Sequence, residues 1–196
     1  MVGMIICVAI AFALPWYQQF YRHPYSAAAN VTETVDYRWT KTVTTRNIQA
    51  FDGDNIVITD VTYSDAGNDN IKQVFNISLA FLILALIGAT GVAVLQVVGL
   101  ITQRRRFRFF AFNLTMASAV MLTIAFLQFL AIRRSFLQDK LCTSDVEIDS
   151  PCTMFAGTSH YGLPPSTQEW HPTSGWFVCI GGLICAWSSA IATYIS

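Results

Sequence analysis

Four apolar stretches punctuate the chain, at residues 1–14, 79–101, 109–132 and 176–195, and none contains a charged residue. A helix needs about 20 apolar residues to cross roughly 30 Å of hydrocarbon, because each residue rises about 1.5 Å. The second and third stretches exceed that length and the fourth just meets it. The first is short and needs Pro15, Trp16 and Tyr17 to reach the interface. No amphipathic stripe runs through them, as it would in core helices of a water-soluble domain. The pattern therefore predicts spans at residues 1–17, 73–101, 109–132 and 176–196. Between them lie a first outer loop at 18–72, a basic turn at 102–108 and a second outer loop at 133–175. The expected fold class is all-α transmembrane: a four-helix bundle with a small β-rich extracellular cap.

In the first outer loop the pattern changes. Residues 35–45 and 55–63 are rich in Thr, Val, Ile, Tyr and Trp, types that fit a pleated, half-buried surface. Asp52-Gly53-Asp54-Asn55 between them signals a turn. Val57, Thr59, Val61 and Tyr63 would line one strand face, and Ile56, Ile58, Asp60 and Thr62 the other. Two strands alone are marginal in water, so this ribbon must pack on the second outer loop or on a partner protein.

Composition agrees with a membrane class. Charged residues make up 12% of the chain, half the roughly 25% of a soluble domain, and zero net charge gives no footing for nucleic acid. The charges are also segregated. All twelve acids fall within residues 33–69 and 139–169, whereas Arg104, Arg105, Arg106 and Arg108 form a cluster without an acid. Short basic loops stay in the cytoplasm. Both termini are then cytoplasmic and both long loops face outward, most naturally at the plasma membrane. Trp16, Tyr17, Trp170 and Trp176 fall where an outer aromatic belt would lie. Ala11-Phe12-Ala13 resembles a signal-peptide cleavage site, but no Lys or Arg precedes the apolar run, so the first stretch is read as a span.

Candidate chemistry is sparse. Cys142 and Cys152 alone among the five cysteines lie outside the spans, in an oxidising compartment, and are expected to form a disulfide. Cys7, Cys179 and Cys185 would be small apolar residues within the bilayer or, near its inner face, palmitoylated. Asn30-Val31-Thr32 is a glycosylation sequon on the outer side, with Asn30 the acceptor. Asn76-Ile77-Ser78 lies against the membrane, and Asn113-Leu114-Thr115 lies within a span. Asp52, Asp54, Asp65 and Asp69 lack a calcium-loop spacing. His23, His160 and His171 lack a zinc spacing. No metal or other cofactor is expected.

The spans hold no ionisable group of the kind that ion-coupled transport uses, and no nucleophile with a base, so an enzyme is not expected. They do hold rows of small residues at four-residue spacing: Ala85, Ala89 and Ala93 in the second, Gly182, Ala186 and Ala190 in the fourth. Such rows let helix backbones approach closely, within one bundle or between copies.

The cytoplasmic termini, the long β-rich first loop, the basic inner turn and a first span ending in Ala13-Leu14-Pro15-Trp16 together resemble the claudin and peripheral-myelin-protein superfamily of tetraspan membrane proteins. Trp39 stands for the first Trp of that family's first-loop signature. The Gly-Leu-Trp and the two cysteines that follow it in the family are absent here. The resemblance implies a non-enzymatic four-span protein acting in adhesion, membrane organisation or as an accessory subunit. Its partners would be membrane lipids and other membrane proteins or further copies of itself. The alternative is a subunit of an oligomeric large-pore channel.

Overall fold

The computed structural model describes residues 2–26, 29–50, 53–102, 105–142, 150–161 and 166–195. It divides into two compact units. The first comprises residues 1–14, 76–129 and 175–196, and the second residues 15–75 and 130–174.

The first unit is helical. It contains α1 (Val2–Ala13), most of α2 (Asp69–Thr102), α3 (Arg105–Phe129) and nearly all of α5 (Ser174–Ile195). Its polarity is that of a bundle in hydrocarbon. Many large apolar side chains face outward, among them Ile87 and Val97 on α2, Phe109 and Leu127 on α3, and Phe177, Ile184 and Ile191 on α5. The buried faces mix small residues, Ala85 and Ala89 on α2, Ser118 and Ala119 on α3, Ala186 and Ala190 on α5, with the larger Leu82, Val92, Leu122 and Phe129. In water so many exposed apolar side chains would forfeit hydrophobic stabilisation, whereas in lipid they cost little, and the small buried residues let backbones pack closely. Hydroxyls and amides inside these helices bond back to the preceding turn. Thr115 Oγ1 donates to the Ala111 carbonyl at 2.7 Å, Ser118 Oγ to Leu114 at 2.9 Å, and Asn113 Nδ2 to Phe109 at 2.8 Å.

Three helical runs are long and apolar enough to cross a membrane: Asp69–Gly99, Arg106–Gln138 and Ser174–Tyr194. The third stretch predicted from the sequence breaks at its C-terminal end, where a turn at Leu130 and Ala131 separates α3 from the short α4 (Ile132–Gln138). The basic turn expected at 102–108 is largely helix, because α3 already begins at Arg105. The first stretch falls short. With 12 residues, α1 extends about 18 Å, because Pro15 interrupts the helix and Tyr17 already belongs to a strand.

The second unit corrects the expected fold class. The chain is mixed α/β, not an all-α bundle with a small cap, and about a quarter of it is strand (26%). Six strands form one antiparallel sheet: β1 (Tyr17–Ser26), β2 (Ala29–Tyr37), β3 (Lys41–Ala50), β4 (Gly53–Thr62), β5 (Gly157–Tyr161) and β6 (Ser166–Pro172), in the order β4-β3-β2-β1-β6-β5. The first outer loop thus supplies four strands instead of two. The second supplies the other two, with β6 pairing β1 from Tyr17↔Pro172 to Arg22↔Thr167. Ala50 pairs with Gly53, so the β3–β4 connection is residues 51–52, and Asp54 and Asn55 belong to the strand.

One sheet face is covered. Tyr17, Gln19, Val31, Tyr37, Thr42 and Trp170 all point to it and are buried. Aromatic side chains fill the space beneath. Phe136 of α4 lies 5.5 Å from Tyr17 and 5.3 Å from Tyr37, centroid to centroid. Trp16, Trp39, Phe75 and Tyr63 continue the cluster, with Trp16 and Trp39 only 4.5 Å apart. Burial raises the phenol pKa of Tyr17, Tyr37 and Tyr63, with neighbouring tyrosines adding to the effect at the first two. Each buried ring needs its polar tip satisfied. The Tyr17 hydroxyl donates to the Phe155 carbonyl at 3.0 Å, the Tyr63 hydroxyl to the Arg38 carbonyl, and Trp170 Nε1 to Met154 at 3.0 Å.

Candidate interaction surface

Among the described residues the two end strands of the sheet, β5 and β4, each pair on one side only, and the two edges differ. At one end β5 has five residues, and its exposed side chains Thr158 and His160 are polar. A short polar edge strand is protected against pairing. At the other end β4 has ten residues, no proline, no lysine and an uninterrupted register with β3. All six residues from Asn55 to Asp60 are exposed, among them Ile56 (60%), Val57 (45%) and Ile58 (67%). Apolar side chains therefore project from both faces of a strand paired on one side only.

Ladder phase decides which backbone groups are free. The Arg38 amide donates to the Lys41 carbonyl at 3.0 Å, so the β2–β3 ladder bonds at that pair and at every second pair beyond it. Lys41, Val43, Thr45 and Asn47 turn their backbone groups to β2. Thr42, Thr44, Arg46 and Ile48 turn theirs to β4, where their partners are Val61, Thr59, Val57 and Asn55. The alternate β4 residues, Asp54, Ile56, Ile58, Asp60 and Thr62, turn theirs to the open edge, where the Thr62 carbonyl already accepts the Ala66 amide at 3.1 Å. Of the two acids, Asp60 forms an ion pair with Lys41 on β3.

The disulfide region is tied to the same sheet. Cys142 and Cys152 are joined, with Cα atoms 6.4 Å apart. Beyond the bridge, Arg133 Nη1 donates to the Thr153 carbonyl at 2.7 Å, and the carbonyls of Met154 and Phe155 receive Trp170 and Tyr17. Asp139, just past α4, reaches the start of α2. One carboxylate oxygen accepts the Asn70 amide at 3.1 Å and Asn70 Nδ2 at 2.6 Å, and the other accepts the Ile71 amide at 2.9 Å. These are two of the four N–H groups that a helix start leaves without a partner. No local pattern signals this contact, because its two ends lie 69 residues apart.

The other expected sites disperse. Asn30 falls on β2 opposite Pro24 and Gln49, but its side chain lies outside the described residues. In the second sequon Asn76 is exposed but Ser78 is fully buried. Arg104 and the side chain of Arg105 lie outside the described residues, and Arg106 and Arg108 are exposed. Ala85, Ala89, Gly182, Ala186 and Ala190 are buried inside the helical unit and Ala93 is half-buried, so the small-residue rows serve contacts within the chain. Cβ atoms placed on Gly182 or Gly3 of the α1–α5 contact would meet Cys7 at 3.3 Å and Cys185 at 3.2 Å. The three histidines are not brought together. His23 meets Ser166 Oγ at 3.2 Å, His160 meets Thr167 Oγ1 at 3.3 Å, and His171 faces the Pro172 carbonyl at 3.1 Å. Among the described residues no group of three or more His, Cys, Asp and Glu could hold a metal. Of the four acids that lack a calcium-loop spacing, Asp65 accepts a hydrogen bond from Thr62 Oγ1 and Asp69 opens α2, while Asp52 and the side chain of Asp54 lie outside the described residues.

Neither the protein-family models nor the curated proteins compared with the chain match it. Whatever function is assigned must come from the chain's own surface.

Proposed function

We propose that this chain is a four-span integral membrane protein whose long loops build one sheet outside the bilayer, and that it works by contact: as an adhesion, organising or accessory subunit of a membrane assembly. The observation that carries the reading is β4, ten residues long and unprotected, at the end of a sheet whose other edge is short and polar. Folded proteins blunt exposed edges because an open row of N–H and C=O groups templates pairing with another chain. Pairing by strand addition uses such an edge, the main chain giving affinity and the flanking side chains giving selectivity. The helical unit supports the anchoring half of the reading, since its outward faces carry many large apolar side chains and three of its helical runs are long and apolar enough to cross a membrane. In this reading α1 is the fourth span, completed by the residues that follow it and packed on α5 through Cys7 and Gly182. The arginines at the start of α3 hold that end, with both termini, in the cytoplasm.

The test is the mass of the particle extracted from native membranes in mild detergent, for the wild type and for Ile56→Lys/Ile58→Lys. The reading expects an assembly larger than one chain that the paired lysines disperse. A particle of one chain, or an assembly indifferent to the β4 substitutions, would overturn it.

A further inference from the structure

We propose that the occupant of the β4 edge is a second copy of this chain, paired antiparallel with Ile58 of each copy at the two-fold axis. Two copies would then join their sheets into one of twelve strands. This deepens the reading above and rests on it, because anchoring in one membrane holds copies at high effective concentration.

The register follows from the edge itself. A two-fold axis between antiparallel strands places a residue opposite its own copy. If that residue were Val57, Asp54 of one chain would face Asp60 of the other, and like charges directly opposite repel. If it is Ile58, the outward backbone groups of Ile58 bond to Ile58 of the second copy and those of Ile56 bond to Asp60. Thr62 then faces Asp54, and Val57 faces Thr59. No two acids meet, and each Asp60 keeps the ion pair with its own Lys41. The two isoleucines of the strand, Ile56 (60% exposed) and Ile58 (67%), then lie on one face at the centre of the junction. Side-chain pairs across neighbouring strands are what stabilise such a junction. With Ile58 at the axis residues 54–62 all pair without opposed acids, with Val57 there two acids meet, and with Thr59 there the pairing within the strand shortens to 56–62.

Single cysteines test both the partner and the register, in full-length protein oxidised in native membranes with copper phenanthroline and run on non-reducing gels beside the wild type. Ile58→Cys is expected to give a covalent dimer, since directly opposed hydrogen-bonded residues have Cα atoms about 5.5 Å apart, inside the disulfide range of about 4.4–6.8 Å. Val57→Cys is expected to stay monomeric, because the two copies of residue 57 lie on a diagonal about 7–8 Å apart. Co-expressed Val57→Cys and Thr59→Cys chains are expected to cross-link to each other. All three positions are exposed on β4, so folding should tolerate them. A misfolded, non-specifically associating chain would cross-link alike at all positions, and that result counts against the proposal. Absence of a dimer with Ile58→Cys also overturns it. If an edge-dependent assembly persists without that cross-link, the partner is a different chain, and only this inference falls.

Discussion

Replacing Asp139 by alanine removes a carboxylate that caps α2 from outside the helix. The Lys72 amide donates to the Asn68 carbonyl at 3.0 Å, which makes Asn68 the residue before the first turn and Asn70 and Ile71 the second and third residues of the helix. Their amides are the ones an N-cap side chain ordinarily satisfies, and here Asp139 accepts both. Loss of a cap costs about 0.5–2 kcal/mol, and a negative charge at a helix start contributes about 0.3–1 kcal/mol more. Asp139 is half-exposed, so the charge contribution belongs at the low end. The sum is about 2 kcal/mol, or roughly a 30-fold change in an opening equilibrium, since about 1.4 kcal/mol is tenfold. Amide hydrogen exchange read at Asn70 and Ile71 should therefore accelerate by about that factor in Asp139→Ala. In Asp139→Asn, which keeps an acceptor oxygen, the change should be several-fold smaller. Unchanged exchange at both amides in Asp139→Ala would show that the carboxylate does not hold the helix start.

A Cβ at Gly88 would lie 2.2 Å from Ser118 Oγ. Gly88→Ala is expected to destabilise the helical unit by about 1–3 kcal/mol, and Ser118→Ala in the same chain to restore most of the loss, as read by thermal unfolding in detergent. Breaking the Cys142–Cys152 bridge, which closes a ten-residue separation, is expected to cost roughly 3 kcal/mol by the loop-entropy relation, visible as a lower urea midpoint of the sheet's circular dichroism. The pKa values of Tyr17, Tyr37 and Tyr63 are raised mainly by burial. The folded chain therefore holds those protons after the unfolded chain has released them. Stability should be full below the ordinary phenol value of about 10 and fall as pH rises above it. The share of the phenolate absorbance that belongs to these three of the chain's seven tyrosines should then appear only together with loss of the sheet signal.

Much of the helical unit was legible because hydrocarbon imposes a simple rule, a long run without charge, and three runs obeyed it. The first did not, because Pro15 and the strand that follows cut it to 12 residues. The sheet was legible only where aliphatic and Thr residues dominate, in parts of β3 and β4. In β1, the sequence Tyr17-Gln18-Gln19-Phe20-Tyr21-Arg22 hides its alternation: Gln19 is buried on the covered face, whereas Phe20 points the other way beneath the Arg22 guanidinium, 5.7 Å from the ring centroid. Tertiary pairing, not local pattern, made it a central strand. β6 became a strand for the same reason, through β1, and that partnership spans more than 140 residues. The alternation of β4 was visible in the sequence. Its position at the sheet edge, with both faces open, depends on strand order, which no local pattern encodes.

The proposed topology puts the sheet outside the cell and the start of α3 in the cytoplasm, and labelling of intact cells with a membrane-impermeant maleimide checks it. Thr158→Cys, exposed on β5 and away from the β4 edge, is predicted to react on intact cells, and Arg105→Cys only after the membrane is opened. Labelling of Arg105→Cys on intact cells, or of Thr158→Cys only after opening, would contradict that topology.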